Sequence, residues 1–363
     1  MWSALRKILV AAVAAAVMVG VAGSAHAAPK TSFKVAWSIY VGWMPWPYAD
    51  ESGILKKWAD KYGIKIELVQ INDYVESLNQ YTAGAFDGVV ITNMDTLSVP
   101  AAGGVDSTAI ILGDYSNGND AVILKSVGIS PKKKSLADIA GQKVNLVQLS
   151  VSQYLLARAL ETVNLKESDL TLVNTSDADI VAAFGTSDVT ALVTWNPQVS
   201  EILKSRNAQK VFDSAQIPGQ IQDLMIVNTQ TLKDNASLAK ALTGAWYEVM
   251  AMMQKNDAAS EAARGQMAKD SGTDLAGFDG QLKTTRLYPD PAEAAQFVKS
   301  KENLAISDLV RKFCFDHGLM GEGAKSVDVI GIAFPGGQVL GDPKNIKFRY
   351  DPQFMEMAAQ HKL

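Results

Sequence analysis

Cysteine is almost absent from this chain of 363 residues. Cys314 stands alone, so no internal disulfide can form and an apolar core must hold the fold. Histidine is nearly as scarce: of three, His26 falls in the N-terminal apolar segment, and His317 and His361 sit near the other end. There is no clustered His/Cys metal spacing, no serine-hydrolase elbow and no phosphate-binding loop. Cys314, inside the helical stretch "VRKFCFDHG", reads as a packing residue. Paired carboxylates could perform acid/base work as in glycosidases, but their abundance alone does not argue for it. The reading is therefore non-enzymatic, with no metal and no cofactor. A positive surplus is also missing. The net charge of −4 gives no footprint for nucleic acid or an anionic membrane. No low-complexity linker or internal repeat divides the chain.

A long apolar run does occur at the start. Arg6 and Lys7 precede "ILVAAVAAAVMVGVA", and "SAHA" then offers a small-residue cleavage site. The run is short for a bilayer crossing of about 20 residues. Residues 1–27 thus read as a signal peptide cleaved near Ala27, releasing the product into the periplasm. With no cysteine at the cut, no lipid anchor is expected there. Loss of Arg6 and Lys7 takes the net charge from −4 to −6. What remains is too long for one core, so two lobes are expected.

Short apolar runs then alternate with helix-length segments. "FKVAWSI" (33–39), "KIELVQI" (65–71), "DGVVIT" (87–92) and "TAIILGD" (108–114) read as strands, separated by the helical "DESGILKKWADKYG" and "DYVESLNQYTAG". The pattern resumes in "AVILK" (121–125), "KVNLVQ" (143–148), "LTLVNT" (170–175), "VTALVTW" (189–195), "QKVFDS" (209–214) and "DLMIVN" (223–228). This is βαβ syntax and implies parallel strands covered by helices. A helical block follows as far as Phe315, and the Gly- and Pro-rich tail reads as irregular. Two α/β units in series, with the block returning to the first, require two crossings. "YSNGND" (115–120) and "PGQIQD" (218–223) are the candidates. The expected division is 30–117 for the first part of lobe 1, 118–222 for lobe 2, and 223–363 for the return to lobe 1.

In open α/β sheets, ligands sit beyond the carboxyl ends of the strands. Those segments here are "YVGWMPWPYADESG", "TNMDTLS", "GDYSNGND", "QLSVSQY", "TWNPQ" and "QIQDLM". The chain has 34 Lys and Arg, yet none falls in these six segments. They carry Asp50, Glu51, Asp95, Asp114, Asp120 and Asp223, together with Trp43, Trp46 and Trp195. A sulfonate, nitrate or phosphate site would present Arg, Lys or a bare Gly-rich helix start. Acids with indoles suit a small cation or a neutral hydrogen-bonding solute. Trp37 alternates with Val35 and Ile39 and reads as core, while Trp58 and Trp246 read as helix packing. Trp43 and Trp46 fall in a stretch whose Gly and Pro break any period. Asp50 and Glu51 read as caps of the first helix, and Asp95 and Ser150 as caps of later ones.

Taken in order, "GWMPWPYADESGILKKWADKYGIKIELV", "YTAGAFDGVVITNMD", "ILGDYSNGNDAVI", "AGQKVNLVQLSVSQYLLARALE" and "LVTWNPQ" resemble the nitrate/sulfonate/taurine class of ABC-transporter substrate-binding proteins over about residues 33–300. More narrowly the chain looks like the branch encoded beside urea carboxylase and linked to urea and guanidine. The resemblance implies the type 2 periplasmic-binding-protein fold, two α/β lobes on a two-crossing hinge. It also implies a monomer that delivers a small solute to permease subunits in the inner membrane. The ligand-facing loops of the class correspond to Trp43, Trp46, Asn93, Asp95, Asp114, Ser116, Ser152, Trp195, Asn196 and Asp223. The basic anchor of nitrate and sulfonate binders is missing, so guanidinium is the first expectation and urea the second. An anion ligand is the alternative, and a pyrimidine-synthesising enzyme on the same fold a further one.

Overall fold

The computed structural model describes residues 29–126 and 134–363. The expected signal peptide, 1–27, lies outside the described residues. Among the described residues no helix is long and apolar enough to cross a membrane.

Every apolar run read as a strand forms one. They are β1 (Ser32–Trp37), β2 (Lys65–Gln70), β3 (Gly88–Thr92), β4 (Ser107–Ser116), β5 (Ala121–Lys125), β6 (Lys143–Leu146), β7 (Thr171–Asn174), β8 (Ala191–Thr194), β9 (Ala208–Asp213) and β10 (Gln222–Asn228). Later come β11 (Thr285–Leu287), β12 (Gly331–Ala333), β13 (Val339–Leu340) and β14 (Ile346–Tyr350). One sheet runs β13-β12-β14-β4-β10-β3-β1-β2, with β11 also on β4, and a second runs β7-β6-β8-β5-β9. The fold is mixed α/β with two sheets. The chain leaves the first sheet after β4, enters the second at β5, and returns from β9 to β10.

Two features depart from expectation. The sheets are mixed: β10 runs antiparallel to both β3 and β4, and β5 antiparallel to β8 and β9. Strands entered by a crossing between sheets arrive without a covering helix, so the right-handed βαβ rule does not set their direction. The tail is also not irregular. It adds β12, β13 and β14 to the first sheet, where β14 lies parallel to β4, and ends in a helix, Gln353–Ala359. β12 and β13 are short and Gly-flanked, and pairing rather than apolar run length makes them.

β5 explains why such strands read as continuous apolar runs. Val122 and Leu124 join the main core, while Ala121 and Ile123 join a smaller cluster with Ile180, Phe184 and Leu192. Successive side chains point to opposite faces, and both faces are covered.

Candidate functional site

β4, β10 and β3 lie side by side and end together. Their register sets Asp114 opposite Asp223, and Asp223 opposite Thr92. A polar row thus crosses three strands whose bodies are apolar. Thr92 caps the short helix Asn93–Thr96, accepting from the Asp95 N–H. Asp95, expected to cap a helix beginning at Thr96, lies inside this one and accepts from Thr92 Oγ1 at 2.8 Å and from Tyr74 Oη at 2.7 Å. Tyr40, just beyond β1, donates to Asp114 Oδ1 at 3.1 Å. On the crossing, Asp120 Oδ2 accepts from Ser116 Oγ at 2.5 Å.

Four aromatic rings wrap this row. Tyr40 meets Trp43 at 5.2 Å between centroids, Trp43 meets Tyr74 at 5.6 Å, and Tyr74 meets Trp195 edge-on at 5.8 Å. Trp195 follows β8 of the second sheet, so the ring wall joins both lobes. Two backbone contacts seal it: Trp195 Nε1 donates to the Ile39 carbonyl at 3.4 Å, and the Tyr74 N–H donates to Asp177 Oδ1 at 3.2 Å. The rings, Thr92, Asp120 and Asp223, with Val151 and Ile221, enclose about 20 Å³ measured to the centres of water-sized spheres. A single water needs roughly 10–15 Å³ on that measure, so the space suits a solute of a few non-hydrogen atoms. No Lys, Arg or His lines it.

The electrostatics follow from burial. Asp95, Asp114, Asp120 and Asp223 are each at most 3 % exposed. Burial away from water disfavours the charged form. It pushes Asp114 and Asp120 up to about 7 and Asp95 up to about 6. Asp223 rises well above the usual carboxylate range, first through burial and then through the charge of Asp114. Asp114 Oδ2 and Asp223 Oδ2 accept from no donor, the two carboxyls lying within hydrogen-bond reach of each other, and the Trp43 Nε1–H has no acceptor. Unpaired polar atoms in such a place are costly, and they describe by complement what would satisfy them.

Of the expected ligand-facing residues, Trp43, Trp195 and Asp223 line this space. Asp114 stands beside Asp223 and, with Trp43, Trp46 and Trp246, borders a smaller adjoining gap of about 10 Å³. Trp46 belongs not to a loop but to the helix Pro45–Glu51, where it packs on Trp246 at 5.0 Å. That helix also places Asp50 and Glu51 at its C-terminal end, and Gly53, not an acid, precedes the next helix. Asp95 faces a separate open groove of about 780 Å³. Asn93 ties down the return crossing, donating to the Gln220 carbonyl and accepting from the Gln222 N–H, each at 3.1 Å. Asn196 accepts from the Ser200 N–H and hydroxyl. Ser116 holds Asp120 and Ser214. Ser150 caps the helix Val151–Glu161, and Ser152 is buried with its Oγ unpartnered. Tyr40, Tyr74, Thr92, Asp120, Val151 and Ile221 were not among the expected site residues. The segments read as strand ends contain all of them but Tyr74, which begins a helix after β2, although Ile221 proves to precede β10 and not to follow a strand.

Among the described residues, no group of three or more His, Cys, Asp and Glu could hold a metal ion. No curated protein matches the sequence. Similar solved structures include the alkanesulfonate-binding protein SsuA of Xanthomonas axonopodis pv. citri bound to MOPS, with a TM-score of 0.65, 16% identity, and 81% of this chain and 96% of that one covered. The periplasmic aliphatic sulphonate-binding protein SsuA of Escherichia coli gives 0.64 at 19% identity, covering 80% of this chain and 94% of that one. The periplasmic nitrate-binding protein NrtA of Synechocystis PCC 6803 gives 0.56 at 13%, covering 92% and 99%. The fold is that of the periplasmic binding proteins. The family described as NMT1/THI5 like matches residues 47–259, more than half of the sequence, and the chain belongs to that family.

Proposed function

We propose that this chain is the solute-binding component of an ABC importer, that it works in the periplasm, and that its solute is a small, flat nitrogen compound, guanidinium first. One observation carries the reading. The cavity between the lobes is lined by Asp120 and Asp223 inside a wall of aromatic rings and with no basic side chain, and Asp114 stands directly beside Asp223 on the neighbouring strand. An anion there would meet buried negative charge with nothing to pair it. A planar cation finds carboxylates for its N–H groups and ring faces for its charge. Trp43, Trp195, Asp114 and Asp223 are the proposed contacts, and Tyr40 and Tyr74 orient them.

The fold supports capture rather than turnover, since similar structures include proteins named for binding sulfonates and nitrate. The missing basic group separates this chain from what those anions need. The sequence resemblance to the branch encoded beside urea carboxylase supports the same solute class. Release after cleavage near Ala27 and hand-over to inner-membrane permease subunits complete the reading.

Urea is the second reading, favoured by the Trp43 Nε1–H, which lacks an acceptor. Urea's carbonyl could accept from it, whereas guanidinium has only donors. Calorimetry of the purified mature protein against guanidinium, urea, taurine and nitrate tests both. Guanidinium should bind most tightly. Tight taurine or nitrate binding, with guanidinium and urea inert, would overturn the reading.

A further inference from the structure

Asp114 and Asp223 stand directly opposite each other on β4 and β10. They are 0% and 3% exposed, each keeps an Oδ2 that accepts from no other donor, and the two carboxyls lie within hydrogen-bond reach of each other. The titratable groups facing the pair are Tyr40, beyond β1, and Asp120, on the crossing, with Asp95 beyond Asp120 on the helix after β3. All are acids or a phenol. Two carboxylates opposed in a site that excludes water do not both stay charged when no cation is near. A proton on one of them is the least costly way to remove the repulsion. A monovalent cation lodged between them does the same work.

Resting on the ligand reading above, we propose that this site is a proton–cation exchanger: a guanidinium-type monocation binds to the Asp114–Asp223 pair as one proton leaves it for solvent. The pair, counted with its proton or its cation, carries one negative charge before and after, so binding of the cation leaves the charge of the buried site unchanged. The arrangement also separates the two candidate solutes. Neutral urea displaces no proton and can use the protonated carboxyl as a donor to its carbonyl. Burial pushes Asp114 up to about 7, in keeping with a proton held near neutrality.

The test is calorimetry of the full mature protein with guanidinium chloride, in two buffers of different ionisation enthalpy and over a pH series. About one proton should be released per guanidinium below the pair's pKa, and affinity should fall roughly tenfold for each pH unit lowered there. Guanidinium bound with equal heats in both buffers, at an affinity independent of pH, overturns the exchange and leaves the ligand reading standing. Failure of guanidinium to bind removes both. A ligand-free measurement decides independently: 13C NMR of the aspartate carboxyls should show one member of the pair protonated near neutral pH. Both ionised there would overturn the exchange.

Discussion

Asp114 and Asp223 pull affinity and stability in opposite directions. Each is a buried carboxyl with an oxygen that accepts from no other donor, destabilising to the unliganded fold yet complementary to a cation. Asp114→Asn or Asp223→Asn keeps the shape, and the new amide can donate to the opposing carboxylate. Either change should weaken guanidinium binding by roughly 2–5 kcal/mol, more than tenfold. Thermal melting of the ligand-free variants should stay level or rise. A fall in both quantities would mean that the pair is structural. The two tryptophans at this end of the molecule should separate in the same way. Trp46 is 1% exposed and packed on Trp246, so Trp46→Ala should cost about 3–5 kcal/mol of stability in denaturant unfolding. Trp43 lines the cavity, so Trp43→Ala should remove most of the intrinsic fluorescence change on ligand binding. Gly42 sets how closely Asp114 approaches: a Cβ there would lie 2.5 Å from Asp114 Oδ2 and from the Tyr40 ring. Gly42→Ala should therefore lose at least about tenfold in affinity, read by the same calorimetry, because the Tyr40–Asp114 hydrogen bond must shift.

At the level of elements, the turn Glu167–Asp169 before β7 meets the end of the helix Lys301–Asp316. His317 Nε2 lies 2.5 Å from Glu167 Oε2, and His317 Nδ1 lies 2.9 Å from the Phe313 carbonyl. Both ring nitrogens thus face acceptors, which only the imidazolium satisfies with two N–H groups. The hydrogen bond to Glu167 is the main cause that raises the His317 pKa, against burial. A raised folded pKa contributes stability that is fully present below the unfolded value of about 6.5 and is lost as pH rises through the folded one. The pair is a quarter exposed, so the contribution is on the order of 0.5–1 kcal/mol. His317→Gln should flatten that part of the stability–pH curve in denaturant titrations. An unchanged curve would mean that the contact is inert.

How well elements can be read from sequence depended on what makes them. β1 to β10 were legible because each contains a short apolar run, covered on both faces in β3, β4, β5 and β8. β12 and β13, with three and two residues, were not, since their pairing with β14 and with each other decides them. The same holds within the site. Asp114 was legible as an acid closing an apolar strand and Asp223 as an acid at the second crossing, whereas Tyr74 was not. It starts a helix in the way a packing residue would, and only the fold brings its hydroxyl to Asp95.

For the molecule as a whole, the second sheet is bound to the first through two chain passages, and the ring wall is shared between them. Separation of the lobes would pull Trp195 from Tyr74 and break the Tyr74–Asp177 hydrogen bond. Small-angle scattering should accordingly give a smaller radius of gyration with saturating guanidinium than without it. Equal radii would mean that the ligand enters without hinge motion.

β4 has a consequence in time as well as in space. The second sheet draws its five strands from one continuous stretch, 121–213, and can pair as soon as that stretch exists. β4 cannot: one flank waits for β10, and the other joins Ser107 to Phe348 near the far end of the sequence. Until then its apolar length is an open edge, the sort of surface on which chains find one another instead of themselves. The strand that carries Asp114 is therefore among the last to be enclosed. Refolding should show the second sheet protected early in pulsed hydrogen exchange and β4 protected late, with the recovery of solute binding tracking β4.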